Sequence, residues 1–172
     1  MSILDLGGAN QTNILQLTAM GHRLSNEDLI LSLDSYLSDP EVAQNPENPV
    51  FVEDFLDQTL GREDYAFDAA LVWDILQFLP PYLLQPMVSR LQRILRPGAP
   101  VVALFHAEEK SPEVQLYSYR IHDPKTLTLV PRGLRLRHQF FNNRGFERLF
   151  QNFNSIKFFL TRDSLREVII RR

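Results

Sequence analysis

The stretch that most limits how this chain can fold is its opening run, Ile3-Leu4-Asp5-Leu6-Gly7-Gly8-Ala9-Asn10. A short apolar strand ends there in an acidic residue and a pair of glycines. Residues 13–20 follow with helical character, then Gly21 and a second extended segment, residues 22–28. Strand, glycine turn, helix, strand and acid is the opening of a nucleotide-binding βαβ unit. Glycines belong in such a turn because a side chain would hold the backbone away from a ligand. The acid closing the second strand, Glu27 or Asp28, can accept hydrogen bonds from two ribose hydroxyls. The pattern is abbreviated: a full signature carries glycine at 7, 9 and 11, where this chain has Gly7, Ala9 and Gln11. A buried strand followed by a tight turn is the plainer reading of the same residues.

Further along, the leucines at 29, 31, 33 and 37 suit a short helix. Residues 38–49, with Asp39-Pro40 and Asn45-Pro46-Glu47-Asn48-Pro49, read as a loose connection. Val50-Phe51-Val52 reads as a third short strand, and residues 55–60 as one or two helical turns ending at Gly61. The clearest strand is Phe67-Asp68-Ala69-Ala70-Leu71-Val72-Trp73, apolar without alternation after Asp68, as expected of a strand buried on both faces. Pro80-Pro81 opens a helix with Leu83, Leu84, Met87, Val88, Leu91, Ile94 and Leu95 at helical spacing, stopped by Pro97-Gly98. Val101–Phe105 is a further buried strand. Residues 114–121 and 125–130 alternate around His122-Asp123-Pro124, the pattern of a surface β-hairpin. A helix over 141–153, capped by Asn142 or Asn143, precedes two terminal strands, 155–160 and 165–170. The turn Thr161-Arg162-Asp163-Ser164 is short enough to force those strands antiparallel.

Length and composition fit one domain, residues 1–172, with enough apolar residues to bury a core. The absence of cysteine excludes disulfides, thiolate catalysis and cysteine-ligated zinc. No apolar run approaches the roughly 18–20 residues of a membrane span, and no basic-then-apolar leader opens the chain; a cytoplasmic location is the expectation. Charge is divided along the chain. Residues 1–89 hold two basic and fourteen acidic residues, residues 90–172 sixteen basic and seven acidic. Attraction between the halves, or head-to-tail association into a homo-oligomer, is favoured over an acidic partner, because the basic residues are spread over many elements.

Taken together, the order of elements resembles the class I S-adenosylmethionine-dependent methyltransferases. Three parts carry the resemblance: residues 67–80, similar to that family's fourth-strand segment; Leu91-Gln92-Arg93-Ile94-Leu95-Arg96-Pro97-Gly98 before an apolar strand; and the terminal hairpin. The resemblance implies an α/β doubly wound, seven-stranded, mostly parallel sheet in the order 3-2-1-4-5-7-6, with a small β-hairpin insert within 110–138. It implies S-adenosylmethionine as cofactor and a small-molecule methyl acceptor. By position, Asp5, Gly7, Gly8 and Ala9 form the turn under the methionine portion, Glu27 or Asp28 takes the ribose, Asp54 and Phe55 sit at the adenine, and Trp73 and Asp74 lie beside the sulfonium. The helix that precedes the first strand in that family is missing, which a truncated chain or an open pocket would both explain. An adenosyl pocket also requires the first and fourth strands to be adjacent and the hollow over Gly7 to be free. The competing expectation is a catalytically silent scaffold of the same fold.

Methyl transfer from a sulfonium needs positioning above all, and a base only where the nucleophile carries a proton. His106, just past the fifth strand, is the candidate base; a structural histidine is the alternative. No histidine pair has metal-ligand spacing, so no metal is expected. Glu108-Glu109 reads as a solvated turn. Arg135 and Arg137 alternate and share a face with Arg132 and Arg144 nearby. A charged strand edge is the plainer account of them than a nucleic-acid surface. Tyr117, Tyr119 and the phenylalanines are read as core rather than base-stacking platforms.

Overall fold

The computed structural model describes residues 1–107, 111–160 and 165–172; the turns expected at Glu108-Glu109 and at 161–164 lie outside the described residues. The opening unit forms as β1 (Ser2–Asp5), α1 (Gln11–Ala19) and β2 (Arg23–Asn26). Then come α2 (Leu29–Ser38), α3 (Pro40–Gln44), α4 (Pro49–Leu60) and β3 (Ala69–Trp73). A 3-10 turn (Ile75–Phe78) leads to α5 (Pro81–Ile94) and β4 (Pro100–His106). The hairpin β5 (Glu113–Asp123) and β6 (Thr126–Leu136), helix α6 (Asn143–Leu149), and strands β7 (Ser155–Leu160) and β8 (Leu165–Arg171) complete the chain.

One sheet holds six of these strands in the order β2-β1-β3-β4-β8-β7. β2, β1, β3 and β4 run parallel; β8 is antiparallel to both β4 and β7. The expected third strand at Val50–Val52 is corrected: these residues lie in α4. Pro49 stands at the first helical position, Asn48 accepts from the Val50 amide, and Val52, Phe55, Leu56, Thr59 and Leu60 are buried at helical spacing. Three β-propensive residues were outweighed by that cap and period. The sheet therefore has six strands rather than seven, and the order 3-2-1-4-5-7-6 loses its first member. Residues 38–49, read as loose, contain the short α3, with the Asp39 side chain accepting from the Glu41 and Val42 amides. Asn142 caps α6, accepting from the Gly145 amide.

The two faces of the sheet are covered differently. Alternate strand residues Leu4, Ala70, Val72, Val101, Ala103, Phe105, Val168 and Ile170 face one large core with the apolar sides of α2, α4, α5 and α6. The other face meets α1 through Ile3, Ala69 and Leu17, and the hairpin through Trp73, Leu104, Leu165 and Tyr119. The insert thus lies on the sheet as part of its cover. All six ion pairs described join a basic residue of the second half to an acid of the first, among them Arg90 with Glu53 and Asp57, Arg132 with Asp28, and Arg135 with Asp34. The charge division is used within the molecule.

Candidate active site

The parallel strands end together at Asp5, Asn26, Trp73 and His106. The chain crosses from one side of β1 to the other there, and such reversals leave a crevice at the carboxyl ends of the strands. Asp5 closes β1 fully buried. Its carboxylate accepts from Trp73 Nε1 at 2.7 Å, from the Gly7 amide at 3.0 Å and from Asn13 Nδ2 at 3.4 Å. Burial pushes its pKa up, and these three bonds pull against that rise.

The glycine turn is packed from both sides. A Cβ on Gly7 would lie 2.7 Å from Trp73 Cδ1, so the indole rests on the glycine backbone. Gly8, at φ +85, lies against Asp28, whose Oδ2 would be 2.8 Å from a Cβ there. The Gly8 amide donates to the Glu27 carbonyl at 3.0 Å, which ties the turn to the end of β2. Asp28 caps α2 through the Leu31 amide and pairs with Arg132 of the hairpin at 3.3 Å. Glu27 accepts from the Ser32 hydroxyl at 3.2 Å. Ala9 is exposed, and Asn10 caps α1 by accepting from Thr12 and Asn13.

Trp73 carries the backbone strain of the site. It adopts φ +55 beside a β-bulge in the β3–β4 register, a region that bulky residues avoid. Its ring stacks on Tyr119 of β5 with centroids 4.9 Å apart and planes 3° from parallel. Asn13, buried on α1, holds the same strand by its backbone: Nδ2 donates to the Tyr119 carbonyl at 2.9 Å and Oδ1 accepts from the Ile121 amide at 2.7 Å. Sequence reasoning placed Tyr119 in the core, where it is, but missed its stack on the indole that covers Gly7. Only the alternation of residues 114–121 hinted at a face that must be covered.

Asp74 follows at 1% exposure, with neither carboxylate oxygen hydrogen-bonded among the described residues. Burial raises its pKa to about 7, against the opposing pulls of the Tyr119 hydroxyl and Arg132. The Tyr119 hydroxyl lies near enough to influence the acid, yet no hydrogen bond of ordinary geometry joins the two. His106 is half-buried. Its Nδ1 lies 2.9 Å from Gln77 Nε2, and its ring stacks on Tyr117 at 6.3 Å. Burial, then the charge of Arg137, lowers its pKa to about 4. At neutral pH it is uncharged and a poor proton acceptor.

Asp5, Gly7, Gly8, Glu27, Asp28, Trp73 and Asp74 thus gather at the strand tips, with His106 at the end of β4. Asp54 and Phe55 lie on α4. They line a different groove of about 560 Å³ with Ser32, Ser35 and Gln58, and the Phe55 ring packs on Tyr36 at 5.1 Å.

No protein-family profile matches the chain, and no curated protein matches it. Solved structures do. A 1,6-didemethyltoxoflavin-N1-methyltransferase of Burkholderia thailandensis, with bound 1,6-didemethyltoxoflavin and S-adenosylhomocysteine, aligns with 99% of this chain and 70% of its own at TM-score 0.56 and 14% identity. A SAM-dependent methyltransferase of Methanosarcina mazei aligns over 99% of this chain and 91% of its own at TM-score 0.55 and 17% identity. A glycopeptide N-methyltransferase complexed with S-adenosyl-L-methionine aligns over 98% and 86% at TM-score 0.50 and 11% identity. The chain has the Rossmann-like fold of the class I S-adenosylmethionine-dependent methyltransferases.

Proposed function

We propose that this chain is a methyltransferase-fold domain that takes an S-adenosyl cofactor and methylates a small molecule, and that the arrangement described above is its closed form. The observation that carries this reading is the acid–glycine–acid set, Asp5, Gly7-Gly8 and Glu27-Asp28, gathered where the strand order reverses. As they stand, these residues do not fit the cofactor. The indole of Trp73 fills the hollow over Gly7, and Asp28 is spent on Gly8, Arg132 and the cap of α2. Moving the Trp73 ring off Gly7 would release Asp5 and the turn. Glu27, whose side chain bonds Ser32 alone among the described residues, is then the better of the two acids for a ribose. A methyl-transfer reading would ask of this chain that it orient the acceptor and keep water out. Arg132 and Arg135 are paired with Asp28 and Asp34, which supports a small acceptor over a nucleic acid.

The filled hollow also favours a second reading, a silent scaffold in which the hairpin closes the cleft permanently. Calorimetric titration of S-adenosylmethionine and S-adenosylhomocysteine into the native chain and Trp73→Ala separates the two, with circular dichroism to check folding. The first reading expects tighter binding by the variant, at protein near 0.1 mM, on the order of the weakest useful affinity. Heat from neither protein would leave the scaffold.

A further inference from the structure

We propose that the hairpin-side face of β4, β8 and β7 is the contact between two copies of this chain, related by a two-fold axis. A doubly wound sheet buries both of its faces. In this molecule α1 and the hairpin cover that face over β2, β1 and β3, and reach only Leu104 of β4 and Leu165 of β8. Val102, Ile169 and Phe159 continue the same face and belong to none of the buried clusters. Their side follows from alternation, since Val101, Ala103, Val168 and Phe158 turn to the helical core. Pairing sets Ile169 beside Val102, and Phe159 beside Glu167. Phe159 is 45% exposed; Leu127 of the hairpin, 39% exposed, lines a groove with Val102, Leu104 and Leu165. Apolar residues grouped on an open sheet face mark an interaction surface.

Charge selects the second copy as the occupant. Lys157 and Glu167 stand on this face as diagonal neighbours on β7 and β8, and no ion pair among the described residues takes either of them. A two-fold axis lying in the face, midway between them, sets Lys157 over the partner's Glu167 and Glu167 over the partner's Lys157. One strip of residues is then its own complement, as a two-fold interface requires. A purely basic or purely acidic partner would leave one of the two charges unmet. The other charged groups bordering the face are Arg171, whose guanidinium donates to the Gly98 carbonyl, and Asp123 and Lys125 at the hairpin tip. Both signs are present, so two such faces meet without the repulsion that a face of one sign would bring. The proposal goes beyond the reading above and stands without the cofactor.

Sedimentation velocity of the native chain, with no ligand added, is the test. At protein on the order of 0.1 mM, where a weak self-association is populated, the native chain should run as a dimer and grow no further. Lys157→Glu and Glu167→Lys each set like charges against each other at both symmetric contacts, and each should raise the Kd of the dimer by about tenfold or more. Exchanging the two, Lys157→Glu together with Glu167→Lys, should bring the dimer back. Phe159→Ser removes apolar contact at constant charge and should weaken the dimer in the same direction. Circular dichroism checks the fold of each variant; should a charge variant not fold, Phe159→Ser decides. A native chain that stays monomeric, growth beyond the dimer as in head-to-tail association, single charge variants or Phe159→Ser that dimerise as the native chain does, or a folded exchange variant that stays monomeric would overturn the proposal. No cofactor is present in this experiment, so neither reading falls with the other.

Discussion

The two faces of the sheet were built to different standards. On the helical face, Phe146 is fully buried between Phe105, Phe141 and Phe150, with centroids 5.0–5.3 Å away. Even Arg90, nearly buried on α5, finds Glu53 and Asp57. The strand tips and hairpin are less comfortable. Every buried side-chain polar atom left unpaired among the described residues belongs to Asn26, Asp74 or Tyr119, and Trp73 sits there at positive φ. Such costs persist only where the surrounding structure holds them, and they concentrate at functional sites. The helical face makes the fold; the other face carries unpaired buried polar groups and a strained tryptophan.

Mutations should expose that contrast. The largest effect belongs to the packed face: Phe146→Ala should lose about 3–5 kcal/mol in urea denaturation, as deletion of a large core aromatic does. A loss below about 2 kcal/mol would mean that this core is looser than its ring contacts indicate.

The next effect is a pH dependence on the hairpin side. Asp74 has a folded pKa raised to about 7 from 3.8, so the native state holds a proton that the unfolded chain has released between those values. Stability should therefore be full below about pH 4 for this group and fall as pH rises through about 7. Asp5, also raised by burial, acts in the same direction. Comparing denaturation midpoints of the native chain and Asp74→Asn across that interval isolates the share of Asp74: the variant should show the flatter profile.

Smaller still is Asn13→Ala. It removes two bonds to the β5 backbone and should cost about 1–3 kcal/mol, the range for orphaning buried partners. Amide exchange should quicken at Ile121 and leave α5 unchanged, since Asn13 holds the hairpin and Asp5 and no part of that helix. Arg135→Ala, which breaks a surface pair with Asp34, should change stability by no more than about 1 kcal/mol.

The residues that read clearly in the sequence are those whose period matched their burial. The unbroken apolar run before Trp73 became β3 between β1 and β4, and the leucines of 83–95 became the buried side of α5. Val50–Val52 misled because three β-favouring residues say less than the Asn48-Pro49 cap before them and the apolar period after them. The acids and glycines of the turn could be named from spacing alone. What closes the turn could not. Trp73 reaches Gly7 because of a positive φ and a bulge, and Tyr119 reaches Trp73 through a hairpin fastened more than a hundred positions away by Asn13. Neither backbone strain nor a long-range side-chain bond leaves a periodic trace.

The hold of Trp73 on Gly7 is best tested by acrylamide quenching of its fluorescence with and without S-adenosylhomocysteine. At rest the indole should be shielded, consistent with 4% exposure, and saturating ligand should shift its emission and change its access to quencher as the ring leaves the turn. A tryptophan already open to quencher at rest, or one whose signal stays fixed while the ligand demonstrably binds, would contradict the closed cleft.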